Sequence, residues 1–189
     1  MSSRFRGSID VALNEAGWIA AIKAGFRLRD CGFKLIVHDW QQRTLNTAKC
    51  IQLFHETSEL AQHSVHSQQL GWLEGRRVTP DSLNVMKHYV SQPNLIPHPG
   101  CEGSLPPQSF YEWLNEWFWI YDNLKRDAET GKYRTLIVTH NRNIAAISAR
   151  VGKWVDFKAF DAPGPRPCEV VECSDYLSMI RHGDTDWGT

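Results

Sequence analysis

The sequence predicts an α/β fold, a three-layer α/β/α sandwich around a largely parallel sheet. Three observations lead there. FKLIV at 33–37 and TLIVT at 135–139 are short, continuous apolar runs, the pattern of strands covered on both faces. Segments of helical period flank each of them. The order helix–strand–helix occurs twice around an irregular middle and is followed by two more strand-like runs.

The elements follow in order. Asn14 can cap a helix from about Glu15 to Arg29, with Trp18, Ile19, Ile22 and Phe26 along one face. Phe33 to Val37 is the first buried strand. Gln41 to about Phe54 is helical, with Leu45, Ala48 and Ile51 in line. His55 to Gly75 is polar and aperiodic, which predicts a loop region with a possible short helix. Thr79-Pro80-Asp81-Ser82 is a helix start, with a capping Thr and Pro at the first helical position, for a helix reaching about Val90. Ser91 to Pro107, rich in Pro and Gly, is an irregular excursion. FYEWLNEWFWIYDNLKRDAE is a strongly amphipathic helix whose Trp113, Trp117 and Trp119 serve packing. TLIVT is the second buried strand, after which Asn141 can cap a helix through Ile147. Asp161 to Pro167 is turn-rich. Glu169 to Cys173 and Tyr176 to Ile180 complete the strands.

Composition bounds the rest. At 189 residues, 42% hydrophobic and 22% charged, the chain suits one globular domain over 1–189. Lys plus Arg and Asp plus Glu both number 21, so nothing favours nonspecific binding to nucleic acid or to an anionic membrane. The five cysteines are scattered, with no CxxC pair, which fits neither a zinc site nor a disulfide framework. The polar start MSSRFRGSID has no apolar signal core, and no run is long enough to span a bilayer. These features predict a cytoplasmic protein.

In sheets of this kind, ligands bind beyond the carboxyl ends of the strands. His38, Asp39 and Arg43 follow the first strand, His140 and Asn141 the second, and Arg181, His182 and Gly183 the last. Guanidinium forks match the oxygens of a phosphate. A neutral histidine among them can attack phosphorus, and neighbouring positive charge favours the neutral form. A second histidine can stabilise the transferring group, and a further group must protonate the leaving oxygen. The chemistry predicted is transfer through a covalent phosphohistidine, with no metal and no cofactor.

Arg181-His182-Gly183-Asp184-Thr185 resembles the RHG-[ED]-[ST] signature of the histidine phosphatase superfamily, which has the phosphoglycerate mutase-like fold. In that family the motif follows the first strand, near the N-terminus, and continues into an R-F-x-G-x-x-D-x-x-L-x-x-x-G segment. Here Trp187 is present, and the continuation stands at the other end of the sequence: Arg4, Phe5, Gly7, Asp10, Leu13 and Gly17 have the matching spacing. Arg43-Thr44 with Thr47-Ala48 resembles R-[AT]-x-x-T-A, Gly71-Trp72-Leu73-Glu74-Gly75 resembles G-x-x-E-G, Pro99-Gly100-Cys101-Glu102 resembles P-G-G-E, and Val138-Thr139-His140 resembles V-T-H. The resemblance spans nearly the whole chain in one cyclic order. It implies a circular permutation that leaves the RHG motif at the C-terminal end, with the ancestral ends joined through Cys173-Ser174-Asp175.

By this resemblance His182 is the phosphoryl acceptor, Arg181, Arg43 and His140 bind and stabilise the phosphoryl group, and Arg4, Arg6, Gly7 and Asn141 are substrate contacts. The sequence departs from the family pattern in three places: Gly188 stands where Asn is common, Arg6 where a small residue precedes the glycine, and His66 to Leu70 where a carboxylate proton donor is usual. Glu74 is the nearest carboxylate and is the candidate acid, with His66 as another. The implied reaction is metal-independent hydrolysis of a small phosphorylated substrate, a phosphomonoester. Mutase chemistry at the same site and a phospho-ligand-binding pseudoenzyme are the alternatives.

Overall fold

The computed structural model describes residues 4–63, 69–84, 110–151 and 165–183. The chain's internal contacts gather into two compact units, residues 1–10 with 67–117 and residues 11–66 with 118–189.

The second unit carries the sheet. Its elements, in chain order, are α1 (Glu15–Leu28), β1 (Phe33–His38), α2 (Gln42–Gln52), β2 (Glu59–Gln62), the later part of α3 (Phe110–Gly131), β3 (Arg134–Thr139), α4 (Asn141–Val151), β4 (Val170–Ser174) and β5 (Leu177–Arg181). The five strands lie in the order β2-β1-β3-β5-β4. All pairings are parallel except the edge pair β4 and β5. The three strands that precede the chemistry-bearing residues, β1, β3 and β5, are therefore neighbours. Thr139 lies opposite Arg181 in register, so His140 and His182 emerge side by side.

The central strands read as apolar because both faces are covered. Ile36, Leu136 and Ile180 are fully buried and share one cluster with Ala21, Ala24, Ala48 and Ile51 of the helices. Each large aliphatic side chain buried in this way contributes about 1.5–3 kcal/mol.

Most element boundaries match the expectation, and three points amend or extend it. The side chains along the apolar face of α1 point outward, from Trp18 at 40% exposed to Phe26 at 55%, while Gly17, Ala21, Ala24 and Gly25 face inward. The cause is the close approach of α1 to α2. A Cβ on Gly25 would stand 2.8 Å from the Cys50 carbonyl oxygen and 3.0 Å from the Ile51 Cα, so only small residues fit. The segment read as loop contains β2, a short polar edge strand. Ser58 anchors it by donating to the Phe33 carbonyl, and His63 N–H continues the ladder to the His38 carbonyl. Finally, His140 rather than Asn141 holds the cap position of α4: its carbonyl accepts the first helical bond, from Ile144 N–H. The Asn14 cap is as expected, with its side chain accepting from Gly17 N–H at 2.7 Å.

In the first unit, Phe5, Leu70 and Leu73 form a small apolar cluster. Trp113 and Trp117 of α3 are buried, whereas Trp119, read from the sequence as a packing residue too, is exposed. Residues 80–84 are helical, and Ser82 N–H donates to Thr79 Oγ1 as the capping reading requires. The rest of that helix, the 91–107 excursion, His66, Cys101 with the P-G-G-E-like segment, and 184–189 with Asp184, Thr185, Trp187 and Gly188 lie outside the described residues. Cys31, Cys50, Cys168 and Cys173 are free thiols. Among the described residues, no helix is long and apolar enough to cross a membrane.

Candidate active site

The carboxyl ends of β1, β3 and β5 bring His38 and Asp39, His140, and Arg181 and His182 to one edge of the sheet, and α2 adds Arg43. The two histidine rings lie edge to face, 5.2 Å between centroids. Asp39, Arg43, His140 and His182 are all buried.

His182 is held by backbone on both sides. Its N–H donates to the Thr139 carbonyl at 3.1 Å. Its Nδ1 lies 2.6 Å from the Gly183 carbonyl oxygen. A carbonyl can only accept, so Nδ1 carries the proton and Nε2 keeps its lone pair in the neutral ring. Burial pushes the imidazole well below its usual range, and the charges of His140, Arg43 and Arg181 push the same way, against the raising effect of the Gly183 carbonyl. The ring is therefore neutral, with a nucleophilic nitrogen.

The loop carrying this histidine is fixed by two further contacts. Gly183 N–H donates to Thr47 Oγ1 at 3.1 Å, and the Thr47 hydroxyl donates to the Arg43 carbonyl at 2.7 Å. Gly183 also packs directly on α1: a Cβ there would meet the Gly17 carbonyl oxygen at 2.5 Å. The spacing of these small and hydroxyl residues thus records a close backbone crossing between the loop, α1 and α2.

Asp39, which the sequence reading leaves at this edge without a role, is at the centre of the site. Its Oδ2 lies 2.6 Å from His140 Nε2. Its Oδ1 accepts from Gln41 N–H at 2.9 Å and from the Thr44 hydroxyl. Burial raises its pKa, but His140 and the Thr44 and Gln41 hydrogen bonds outweigh that, leaving it below the ordinary value. The carboxylate also sits at the start of α2, where the helix dipole favours negative charge. The signal available in the sequence was a carboxylate directly after a buried strand and four residues before Arg43.

The other candidates fall as follows. Arg181 is half-buried and donates through Nη1 to the Pro165 carbonyl at 2.9 Å. Asn141 opens α4, and its buried Oδ1 has no hydrogen-bond partner among the described residues. Arg4, Arg6, Gly7 and Glu74 belong to the first unit. There, Glu74 Oε1 accepts from Ser8 N–H and Leu70 N–H, each at 2.8 Å, and Oε2 accepts from the Ser8 hydroxyl at 2.6 Å. Gly7 has φ +47° and lies against this carboxylate, and Arg4 donates to the Gly75 carbonyl.

A site of buried arginine, paired histidines and helix N-termini facing one sheet edge is built for an anion. The family model described as the histidine phosphatase superfamily (branch 1) matches residues 1–174. The chain belongs to the histidine phosphatase superfamily.

The match ends before β5, which carries Arg181. No curated protein matches the chain. Among solved structures, this histidine phosphatase superfamily member is similar to the alpha-ribazole phosphatase from Shigella flexneri, with TM-score 0.67 and 16% identity over 97% of this chain and 89% of that one. It is also similar to a mycobacterial glucosyl-3-phosphoglycerate phosphatase, with TM-score 0.65 and 19% identity over 86% and 77% of the two chains. A phosphoserine phosphatase from Entamoeba histolytica, in complex with 3-phosphoglyceric acid, gives TM-score 0.60 and 18% identity over 85% and 77%. The α/β fold with its mostly parallel five-stranded sheet is the phosphoglycerate mutase-like fold of these neighbours.

Proposed function

We propose that this protein hydrolyses a small phosphomonoester through a phosphohistidine on His182, without a metal ion. The observation that carries the reading is the state of His182: buried and neutral, with Nδ1–H on the Gly183 carbonyl and Nε2 left as nucleophile. Arg43 and Arg181 supply the positive charge for the phosphoryl oxygens. His140 stands beside the same group, its ring 5.2 Å from that of His182, and Asn141 opens α4, whose N-terminus favours an anion. The three solved neighbours are named as phosphatases of small phosphorylated molecules, which fits hydrolysis rather than transfer between substrate positions. Glu74, with three accepted hydrogen bonds, is better suited to bracing the Gly7–Ser8 turn than to giving up a proton.

The test is hydrolysis of p-nitrophenyl phosphate in EDTA by the wild type and His182→Ala. Turnover lost in the variant, with phosphate trapped on a histidine of the quenched wild type, is the expected result. Equal turnover in both proteins would overturn the reading.

The order of the motifs is best read as a circular permutation. Two observations support it: the family match ends at residue 174, ahead of the RHG strand, and Gly183 packs on Gly17, the last residue of the motif's continuation. A rearranged chain with 175–189 joined ahead of residue 1, so that it ends at residue 174, should fold and keep its turnover. Failure to fold would count against this order.

A further inference from the structure

The leaving oxygen needs a proton, and the segment where the family keeps a carboxylate, 66–70, contains none. We infer that the Asp39–His140 pair supplies it: His140, held as imidazolium by the buried Asp39 carboxylate, is the general acid of the first half-reaction and the general base of the second. The inference rests on the phosphohistidine reading and deepens it.

The geometry has three parts. Asp39 Oδ2 lies 2.6 Å from His140 Nε2, the short range of charge-assisted bonds. Both groups are buried, so this interaction is poorly screened. The other Asp39 oxygen is fixed by Gln41 N–H and the Thr44 hydroxyl, which prevents the carboxylate from turning away. A buried carboxylate on one ring nitrogen sets the tautomer and stabilises the imidazolium, and the second proton of that imidazolium sits on Nδ1. The charged and titratable groups gathered around His140 are Asp39 beyond β1, His182 with its ring 5.2 Å away, and Arg43 and Arg181, which act on the same His182; its own helix carries Arg142. His38 turns Nδ1 to the Asp39 carbonyl at 2.5 Å. Asp39 is the carboxylate in direct contact with the His140 ring, and it offsets the cations.

The step balances. The His182 Nε2 lone pair forms the N–P bond. The P–O ester bond breaks, and its electron pair stays on the leaving oxygen, which takes the His140 Nδ1 proton to become the alcohol. Water then attacks phosphorus and gives a proton back to His140. The N–P bond breaks, its electron pair returns to Nε2, and orthophosphate leaves. Asp39 remains ionised throughout and is a positioning residue.

The assay compares kcat/KM for p-nitrophenyl phosphate, whose leaving group needs no acid, with an alkyl ester such as glycerol phosphate, across pH, for wild type, His182→Ala and Asp39→Asn. Asp39→Asn should lose roughly 10²–10⁴-fold on the alkyl ester, the usual worth of a general acid, and less than tenfold on the aryl ester. Its basic limb should also move to lower pH, because the imidazolium has lost its counter-charge. Should Asp39→Asn not fold, wild type alone decides: leaving-group sensitivity should rise as pH climbs through the basic limb. Equal losses on both esters with an unmoved limb, or sensitivity that is flat with pH, would overturn the proton assignment while His182→Ala remained inactive. Wild type and His182→Ala indistinguishable on the aryl ester would overturn the phosphatase reading, and this inference with it.

Discussion

Gly183→Ala adds one methyl group at the crossing between the histidine loop and α1. Its Cβ would stand 2.5 Å from the Gly17 carbonyl oxygen and 3.0 Å from Gly17 C and Cα, all backbone atoms of a capped helix. Reaching ordinary van der Waals contact, which begins at 3.4 Å, requires an opening of about 0.9 Å, read directly against the carbonyl. Gly183 cannot retreat without stretching its hydrogen bond to Thr47 or moving the adjacent His182. Overpacking of this kind costs about 1–3 kcal/mol of stability. A displacement of about 1 Å at a reacting atom costs about 10²-fold in rate. Gly183→Ala should therefore fold with a urea midpoint shifted by that energy, and lose about 10²-fold in kcat/KM on p-nitrophenyl phosphate. A variant within threefold of wild-type kcat/KM and within 0.5 kcal/mol of its stability would refute the argument that the backbone crossing positions the nucleophile.

Three further outcomes are expected. Thr47→Val keeps the shape of a fully buried side chain but removes the acceptor for Gly183 N–H, so urea unfolding should show a loss of about 1–3 kcal/mol and activity should fall. Stability should fall as pH drops below about 6.5, because His182 and His55, both lowered by burial, bind protons in the unfolded chain but not in the folded one. Replacing His182 with Ala should flatten this slope by up to about 1.4 kcal/mol per pH unit, read from urea midpoints between pH 7 and 5; Asp39, held below the ordinary carboxylate value, contributes only at more acid pH. Glu74→Ala strands Ser8 N–H and Leu70 N–H, so it should cost about 1 kcal/mol and speed proteolysis within residues 4–10 and 69–84, and an unchanged cleavage rate would argue against the bracing role.

Local physics made much of this protein legible in its sequence. Phe33–Val37 and Thr135–Thr139 are strands because continuous apolar runs of that length can only be buried on both faces. Asn14 starts α1 because its side chain meets an orphan amide. The rule that ligands meet the carboxyl ends of strands then selected Arg43, His140, Arg181 and His182, and the motif spacing agrees with that choice. Long-range contacts decided the rest. Edge strand β2 has no pattern of its own and exists through its pairing with β1. Periodicity finds the apolar stripe of α1, whereas the spacing between helix backbones decides whether large or small side chains lie inside. Asp39 was visible as a residue after a strand, but its partnership with His140, 101 positions away, depends on β1 and β3 being neighbours. Sequence fixes which side chains can do chemistry; only strand order and register bring Asp39, His140 and His182 within reach of one another, because such contacts carry no local signature in the chain.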